Sequence, residues 1–219
     1  MELEGFFPFW DKLTPQQQDR VRTRAVERCC KKGTVIYNGG LDRSSLLLVQ
    51  RGQLRAYILS EEGREITLYR LFQRDVCLFS ASCIMRSIQF QVMIQAEKDT
   101  RLWLVPAEVY KDLMEESAPA ANFINEVLAA RFSQVMWLME QIMWKSFDKR
   151  LAEFLLEESA LEGTDTLKLT HEAIGNHLGN PREVVTRMLH YFHEEGMVNL
   201  SRGTVRLLDR EKLETLCRK

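Results

Sequence analysis

The chain has 219 residues, of which 45% are hydrophobic and 28% charged, and its formal net charge at pH 7 is −1. This length allows one large domain or two ordinary domains, each with its own core. The near-neutral charge excludes a general attraction to nucleic acids or membranes, so binding of a polyanion would need a local basic patch. The sequence has no apolar run long enough to span a bilayer, and its acidic start, MELEG, does not fit a signal peptide. We therefore expect a cytoplasmic protein without a membrane partner.

The cysteines and histidines restrict the metal chemistry. The number of cysteines is odd and no CxxC pair occurs, which argues against a disulfide framework and a zinc knuckle. We expect reduced, buried thiols. All four histidines lie at or after His171, so the earlier part of the chain has no imidazole for a metal or a haem. We predict no metal site and no histidine-ligated haem; the five cysteines are Cys29, Cys30, Cys77, Cys83 and Cys217.

The first half of the chain has the pattern of one helix followed by strands. Residues 12–30 predict a short helix, with Thr14 as the N-cap and Pro15 at the first helical position. From about 33 to 105, short apolar or alternating runs are separated by glycine-containing turns. Strands this short and this regularly spaced predict a sandwich or a barrel-like roll. The runs are 46–50, 54–59, 65–72, 90–96 and 101–105.

A long helix is predicted after Pro106, over about 107–145, with a break near Pro119. Five apolar residues follow a heptad spacing, which favours a dimer interface: Leu128, Phe132, Val135, Met139 and Ile142. The alternative is a helix that packs on the core of its own domain. Further apolar residues around the seam favour self-association, because a helix that is apolar on most sides needs partners on more than one side.

The C-terminal quarter predicts two helices joined by a tight turn. Ser146 to Asp148 is a predicted joint at which Asp148 caps a new helix, and 162–166 is a predicted polar loop. Thr170 can cap a helix that runs to Leu178, after which Gly179 supplies the positive φ of the turn. Asn180-Pro181-x-Glu183 then predicts a second helix with Asn180 as the N-cap and Glu183 closing a capping box.

The second helix has two distinct faces. Its apolar residues cluster on one side, and Arg182, Glu183, Thr186, Arg187 and His190 on the other. Arginine pairs with guanine, glutamate accepts from cytosine N4, and threonine contacts the thymine methyl group. The alternative is an ordinary solvated face. Gly196 ends the helix, and two short strands around the turn 201–203 predict a wing, which favours a DNA-binding winged helix-turn-helix.

The segment IGNHLGNPREVVTRMLHYFHEEGMV, residues 174–198, resembles the signature of the family of the cyclic-AMP receptor protein and the fumarate-nitrate reductase regulator, CRP/FNR. The resemblance covers essentially the whole chain and implies an α+β fold with three parts. These are an N-terminal double-stranded β-roll of the cyclic-nucleotide-binding type (1–115) that senses an effector, a dimerisation helix (116–145) and a winged helix-turn-helix (146–219). It also implies a homodimer that binds a palindromic operator in double-stranded DNA and contacts RNA polymerase.

The resemblance extends to single residues of the recognition helix. Arg182, Glu183 and Arg187 match the Arg-Glu-x-x-x-Arg pattern with which the cyclic-AMP receptor branch contacts bases. Thr186 stands where the other branch carries a serine. A half-site similar to TGTGA or TTGAT is what this match implies.

The sensor half departs from both branches. Leu78-Phe79 stand where the cyclic-AMP receptor branch has a Gly-Glu pair, and Arg86-Ser87 do not have the expected spacing, which argues against cyclic AMP. The absence of a cysteine before Cys29 argues against an iron–sulfur cluster. The predicted pocket is apolar and sulfur-rich, lined by Cys77, Phe79, Cys83, Met85, Met136 and Met139.

That pocket leaves three alternatives open: a small apolar effector, a thiol switch between Cys77 and Cys83, or a plain packed core. Two other function classes are weighed as well. A cupin-like enzyme that binds a small molecule would need a cluster of histidines and carboxylates, which this half of the chain lacks. A regulatory module that binds only protein would not need the recognition face and the wing. We therefore expect a regulator and not an enzyme.

Overall fold

The computed structural model describes residues 2–37, 45–77 and 92–218, which fall into two units. The first unit consists of Met1–Leu59 and Leu68–Val135, and the second of Ser60–Thr67 and Met136–Lys219. Within the second unit, Oγ1 of Thr67 lies 3.0 Å from Nδ1 of His177. In the described ranges, no helix is both long and apolar enough to cross a membrane.

The first helix begins as predicted but ends early. Two 3-10 turns (Leu3–Phe6 and Trp10–Lys12) precede α1 (Pro15–Arg24), which Thr14 caps by accepting a hydrogen bond from the Gln17 amide. The predicted continuation of this helix to residue 30 is wrong, because Val26–Cys30 forms strand β1. Strand β1 pairs along its whole length with β8, so long-range pairing outweighs the weak local helical pattern.

In the part of the chain that the structure describes, eight strands form two four-stranded sheets, which confirms the predicted roll. One sheet has the order β1-β8-β3-β6 and the other β2-β7-β4-β5. After β1, the strands are β2 (Val35–Tyr37), β3 (Ser45–Arg51), β4 (Leu54–Leu59), β5 (Glu65–Leu71), β6 (Val76–Cys77), β7 (Val92–Ala96) and β8 (Thr100–Pro106).

Strand β3 is apolar at consecutive positions because both of its faces are buried. Leu47 and Val49 belong to the core that contains Cys77 and Ile94, whereas Leu46 and Leu48 pack on the opposite side of the strand. Because side chains alternate across a strand, a strand buried on both faces needs apolar residues at every position. The sheet therefore has a second core on its outer side.

Aromatic residues of the N-terminal segment belong to that second core. The ring centroids of Phe7 and Trp10 are 6.0 Å apart, and those of Phe9 and Phe123 are 5.5 Å apart. Tyr110 joins the cluster through Phe7, at 6.0 Å. The sequence pattern gave this segment no structural role, because its partners lie about a hundred residues away.

The long helical stretch is divided as predicted. Helix α2 (Ala107–Glu116) ends before Ser117, and α3 (Ala118–Trp144) begins directly after it. Pro119 lies in the first turn of α3, where a missing amide hydrogen costs nothing. The hydroxyl of Tyr110 donates to the carbonyl of Ala120 at 3.1 Å and so joins the two helices.

The second unit contains the predicted helices and wing. Its elements are α4 (Phe147–Glu162), β9 (Thr166–Leu167), α5 (His171–Leu178), α6 (Arg182–Glu194), β10 (Val198–Ser201), β11 (Thr204–Leu207) and α7 (Arg210–Arg218). The last residue of the predicted polar loop, Thr166, is in a strand, because β9 pairs with β11 as the third strand of the wing sheet. Ser146 and not Asp148 is the N-cap residue of α4; Asp148 lies in the first turn, where the helix dipole favours its charge.

Candidate nucleic-acid interface

Two glycines shape the turn between α5 and α6. Thr170 caps α5 as predicted, accepting from the Ala173 amide at 3.1 Å, and Gly179 ends the helix at φ 71°. Gly175 is required for a different reason: a Cβ atom at this position would lie only 2.5 Å from the carbonyl oxygen of Asn180. The amide of Asn180 donates to the carbonyl of Gly175 at 3.0 Å, so the turn closes tightly on the helix before it.

The start of α6 differs from the prediction. The helix begins at Arg182 with Pro181 in the N-cap position, and a proline side chain has no oxygen with which to cap. The predicted capping box from Asn180 to Glu183 is therefore wrong. The side-chain oxygen of Asn180 instead accepts a hydrogen bond from Arg150 of α4 at 3.1 Å.

Arg150 fixes the turn from outside the motif. Its second guanidinium nitrogen donates to the carbonyl of Leu178 at 3.1 Å, so one side chain holds both the end of α5 and the residue before Pro181. Burial lowers the pKa of Arg150. The sequence reasoning missed this residue, since nothing local relates Arg150 to a turn 28 residues later.

Helix α6 has the two faces that its sequence predicts. Val185, Leu189 and Phe192 are fully buried, and the two other apolar residues of that face, Val184 and Met188, are half-buried. The side chains of the opposite face lie at the surface with one exception. Arg182, Glu183, Arg187 and His190 are exposed, whereas Thr186 is half-buried.

Thr186 is half-buried because it contacts α5. Its Oγ1 lies 2.8 Å from Nδ1 of His171, the first residue of α5. Burial lowers the pKa of His171, and electrostatic interactions with Arg182 and then His190 lower it further. Sequence reasoning missed this pair, because it exists only where the two helices cross.

The wing is present as predicted. Strands β10 and β11 pair antiparallel around a turn in which Gly203 has a φ of 68°. Exposed cationic side chains lie on α6, on the wing strands and their turn, and just before α5. They are Lys168, Arg182, Arg187, Arg202 and Arg206. A chain of nearly neutral net charge thus presents exposed positive charge on the elements that a winged helix-turn-helix brings to DNA.

The heptad seam of α3 is largely exposed in the single chain. Phe132 is 67% exposed, Met139 48% and Ile142 42%. Leu128 and Val135 are half-buried against the two cores of the first unit. The helix thus uses part of the seam within its own chain and leaves the rest open.

Three residues of the predicted effector pocket, Cys77, Met136 and Met139, lie in the described part of the chain. Phe79, Cys83 and Met85 lie outside the described residues, as do the pairs 78–79 and 86–87. Cys77 is completely buried, while Met136 and Met139 are exposed. Of the cysteines that the structure describes, Cys30 and Cys77 are buried thiols as expected, but Cys29 is exposed and Cys217 half-buried. Their expected burial was wrong: Cys29 lies on β1, whose first four residues are exposed, and Cys217 lies near the exposed end of α7.

Sequence reasoning missed Arg131, a buried cation beside the strand that contains Val76. Arg131 of α3 donates to Asp75 at 3.3 Å and to the carbonyl of Val76 at 3.2 Å, and its guanidinium lies 4.8 Å from the ring centroid of Tyr69. Burial raises the pKa of Tyr69, and the neighbouring Cys77 raises it further. Arg131 thus ties α3 to the core of the roll.

Two family models match this chain in separate segments. Residues 27–117 match the cyclic nucleotide-binding domain, and residues 149–216 match the Crp-like helix-turn-helix domain. The first segment covers the strands from β1 to β8 and helix α2. The second covers the helix-turn-helix, the wing and most of α7.

The chain is also similar to whole proteins over most of its length. A crystal structure described as a transcriptional regulator of the Crp/Fnr family from Eubacterium rectale is 62% identical, covers 99% of this chain and 100% of that chain, and has a TM-score of 0.95. The cyclic AMP receptor protein of Thermus thermophilus is 25% identical over 95% of this chain and 96% of its own length. The global nitrogen regulator of Synechococcus elongatus is 26% identical over 80% of this chain and 82% of its own length.

Fold, recognition helix, wing and relatives together define a transcriptional regulator with a helix-turn-helix DNA-binding domain, and not an enzyme. The chain belongs to the CRP/FNR family.

Proposed function

We propose that this regulator is a homodimer that reads a palindromic operator in double-stranded DNA through α6. The observation that carries the proposal is the exposed row Arg182, Glu183, Arg187 and His190, opposite a fully buried apolar face and followed by a wing. In this arrangement the N-terminal part of α6 enters the major groove. We divide the chain into a sensing domain (1–115), a dimerisation helix (116–145) and a DNA-binding domain (146–219). Its site of action is the cytoplasm, where bacterial DNA lies.

The side chains of α6 suggest which bases they contact. Arg182 and Arg187 suit guanine, whose O6 and N7 pair with both arms of a guanidinium group. Glu183 suits a cytosine N4 amino group, and Thr186 and His190 complete the face. Arg202 and Arg206 of the wing suit phosphates, which position the protein without reading sequence.

Dimerisation would cover the seam of α3. Phe132, Met139 and Ile142 lie on one side of the helix at heptad spacing and leave apolar surface in water. A parallel pair of such helices on a two-fold axis, seam Leu128 to Ile142, places two recognition helices against half-sites about one helical turn apart. Contact with RNA polymerase is part of the proposal through the family alone.

The effector that we propose is small and mainly apolar, and it is not cyclic AMP. The sequence at 78–79 lacks the Gly-Glu pair, and Cys77 lies in an apolar core. The guanidinium of Arg131 already binds Asp75 and the Val76 carbonyl. Micromolar stimulation of DNA binding by cyclic AMP would contradict this part of the proposal. A thiol switch predicts that Cys77→Ser and Cys83→Ser abolish any response of DNA binding to oxidant.

Selection of binding sites from random DNA, followed by gel shifts, tests the function directly. We expect an enriched sequence that wild-type protein binds and that Arg187→Ala binds with lower specificity. The substitution Glu194→Gln, at the far end of α6, is the matched control and should leave specificity unchanged. A protein-only module would enrich no sequence.

A further inference from the structure

His171 connects the first turn of α5 to the base-reading face of α6. Its Nδ1 lies 2.8 Å from Oγ1 of Thr186, and both side chains are half-buried. Thr186 follows Arg182 by one helical turn and directly precedes Arg187. Side chains in this part of a recognition helix approach base edges in the major groove.

The contact limits the conformations of Thr186. A threonine in a helix divides between two χ1 rotamers, because its hydroxyl can also bond to the carbonyl oxygen of the preceding turn. The hydrogen bond with His171 selects the rotamer that keeps Oγ1 beside the imidazole. The direction of the γ-methyl group is then fixed as well.

The imidazole also decides what the Thr186 hydroxyl can offer to a base. When Nδ1 carries no hydrogen, the hydroxyl donates to it, and Oγ1 has only lone pairs left, which suit the amino groups of adenine or cytosine. When Nδ1 carries a hydrogen, as it must in the imidazolium form, it donates to Oγ1. The hydroxyl hydrogen can then be donated to guanine N7 or O6, or to thymine O4.

We propose that His171 is a positioning residue for base readout, which sets the base preference at Thr186 by holding its hydroxyl and changes that preference when it takes up a proton. The proposal rests on the proposed role of α6. It assigns specificity to a residue outside the recognition helix.

The surroundings of His171 set the direction of its titration. Its pKa is lowered by burial, then by Arg182 and His190, which face it from α6. His171 is therefore neutral at pH 7.5. It takes up a proton only when the pH falls below the range in which a histidine side chain usually titrates. The phosphates of bound DNA favour the charged imidazole, so the complex gains the proton at a higher pH than the free protein.

The experiment measures affinity by fluorescence anisotropy at pH 7.5 and 5.5, at constant ionic strength. The DNA set consists of the selected operator and three variants of it, which together carry each of the four base pairs at one position. This is the position at which Thr186→Val lowers the base preference. We expect the wild-type preference there to change at least about fivefold between the two pH values, as one hydrogen bond to a base allows. His193→Gln is the matched control and should keep this change, because the imidazole of His193 lies beside the Val198 carbonyl and not beside Thr186.

Three variants separate positioning from a structural role. His171→Asn has an amide that can hold the hydroxyl but does not titrate, so it should retain a preference that is the same at both pH values. His171→Ala and Thr186→Val should lose preference at this position alone. Loss of preference at all positions in His171→Ala, with His171→Asn no better, would overturn the proposal. So would a wild-type protein whose preference is independent of pH, or whose affinity for every operator rises equally in acid. A wild-type protein without any sequence preference would instead refute the proposed function of α6.

Discussion

Replacement of Arg150 by methionine tests whether the turn between α5 and α6 depends on a side chain of α4. Arg150 donates to the carbonyl of Leu178 and to the side-chain oxygen of Asn180, both at 3.1 Å, and its guanidinium lies 5.7 Å from the ring centroid of Phe147. Methionine retains an unbranched apolar chain of similar reach. It removes both donors and leaves two acceptors that only water can satisfy.

The expected loss of local stability follows from these two hydrogen bonds. A hydrogen bond to a charged group contributes about 1.5–3 kcal/mol. Because Arg150 is only half-buried, water replaces part of each bond, so we expect about 2 kcal/mol in total and not the sum of two full values. A loss of about 2 kcal/mol makes opening of the turn roughly thirtyfold more frequent.

Hydrogen exchange followed by mass spectrometry measures this opening directly. Peptides from 171–194 in the methionine variant should exchange roughly thirtyfold faster than in the wild type, while peptides from the first unit stay unchanged. Arg150→Lys is the matched control, since one ammonium group can reach one acceptor but not both, and it should lie between the two. Equal protection in the methionine variant and the wild type would show that Arg150 does not hold the turn.

Three further predictions concern the interface, the assembly and the turn. Arg187→Ala should cost about 1–3 kcal/mol on the best operator and relax preference at one base pair, measured by competition binding; unchanged specificity would show that Arg187 does not read a base. The double variant Val135→Glu, Met139→Glu should be monomeric by light scattering and should lose most of its DNA affinity, because like charges would face each other across the seam. A wild-type protein that is monomeric at micromolar concentration would contradict the dimer. Gly175→Ala should lower stability by about 1–3 kcal/mol in urea unfolding, because its Cβ would meet the Asn180 carbonyl at 2.5 Å; a midpoint equal to that of the wild type would show that the turn can relax.

Features that depend on neighbouring residues were predictable from the sequence. Thr14 and Thr170 cap helices, Gly179 turns the chain, and the wing strands flank Gly203, all as their local patterns indicate. The apolar face of α6 is buried as its periodicity predicts. In each case the physical cause lies within a few residues of the signal.

Features that depend on distant partners were not predictable in this way. Strand β1 exists because β8 pairs with it, and β9 exists because β11 does. Asparagine is a common N-cap residue, but the side-chain oxygen of Asn180 accepts a hydrogen bond from Arg150. Helix α6 starts two residues after Asn180, at Arg182. His171 and Arg131 acquire their contacts only when separate helices or strands meet. Local propensity is a weak preference, and tertiary contacts decide such positions.

Site selection from random double-stranded DNA with the wild-type protein shows whether α6 of a dimer reads a symmetric operator. We expect one enriched sequence with two inverted half-sites whose centres lie about one helical turn, or about 10–10.5 base pairs, apart. We also expect guanine at the operator positions where Arg182→Ala or Arg187→Ala lowers the base preference. Absence of enrichment, or enrichment of a single half-site bound by one protein chain, would contradict this proposal.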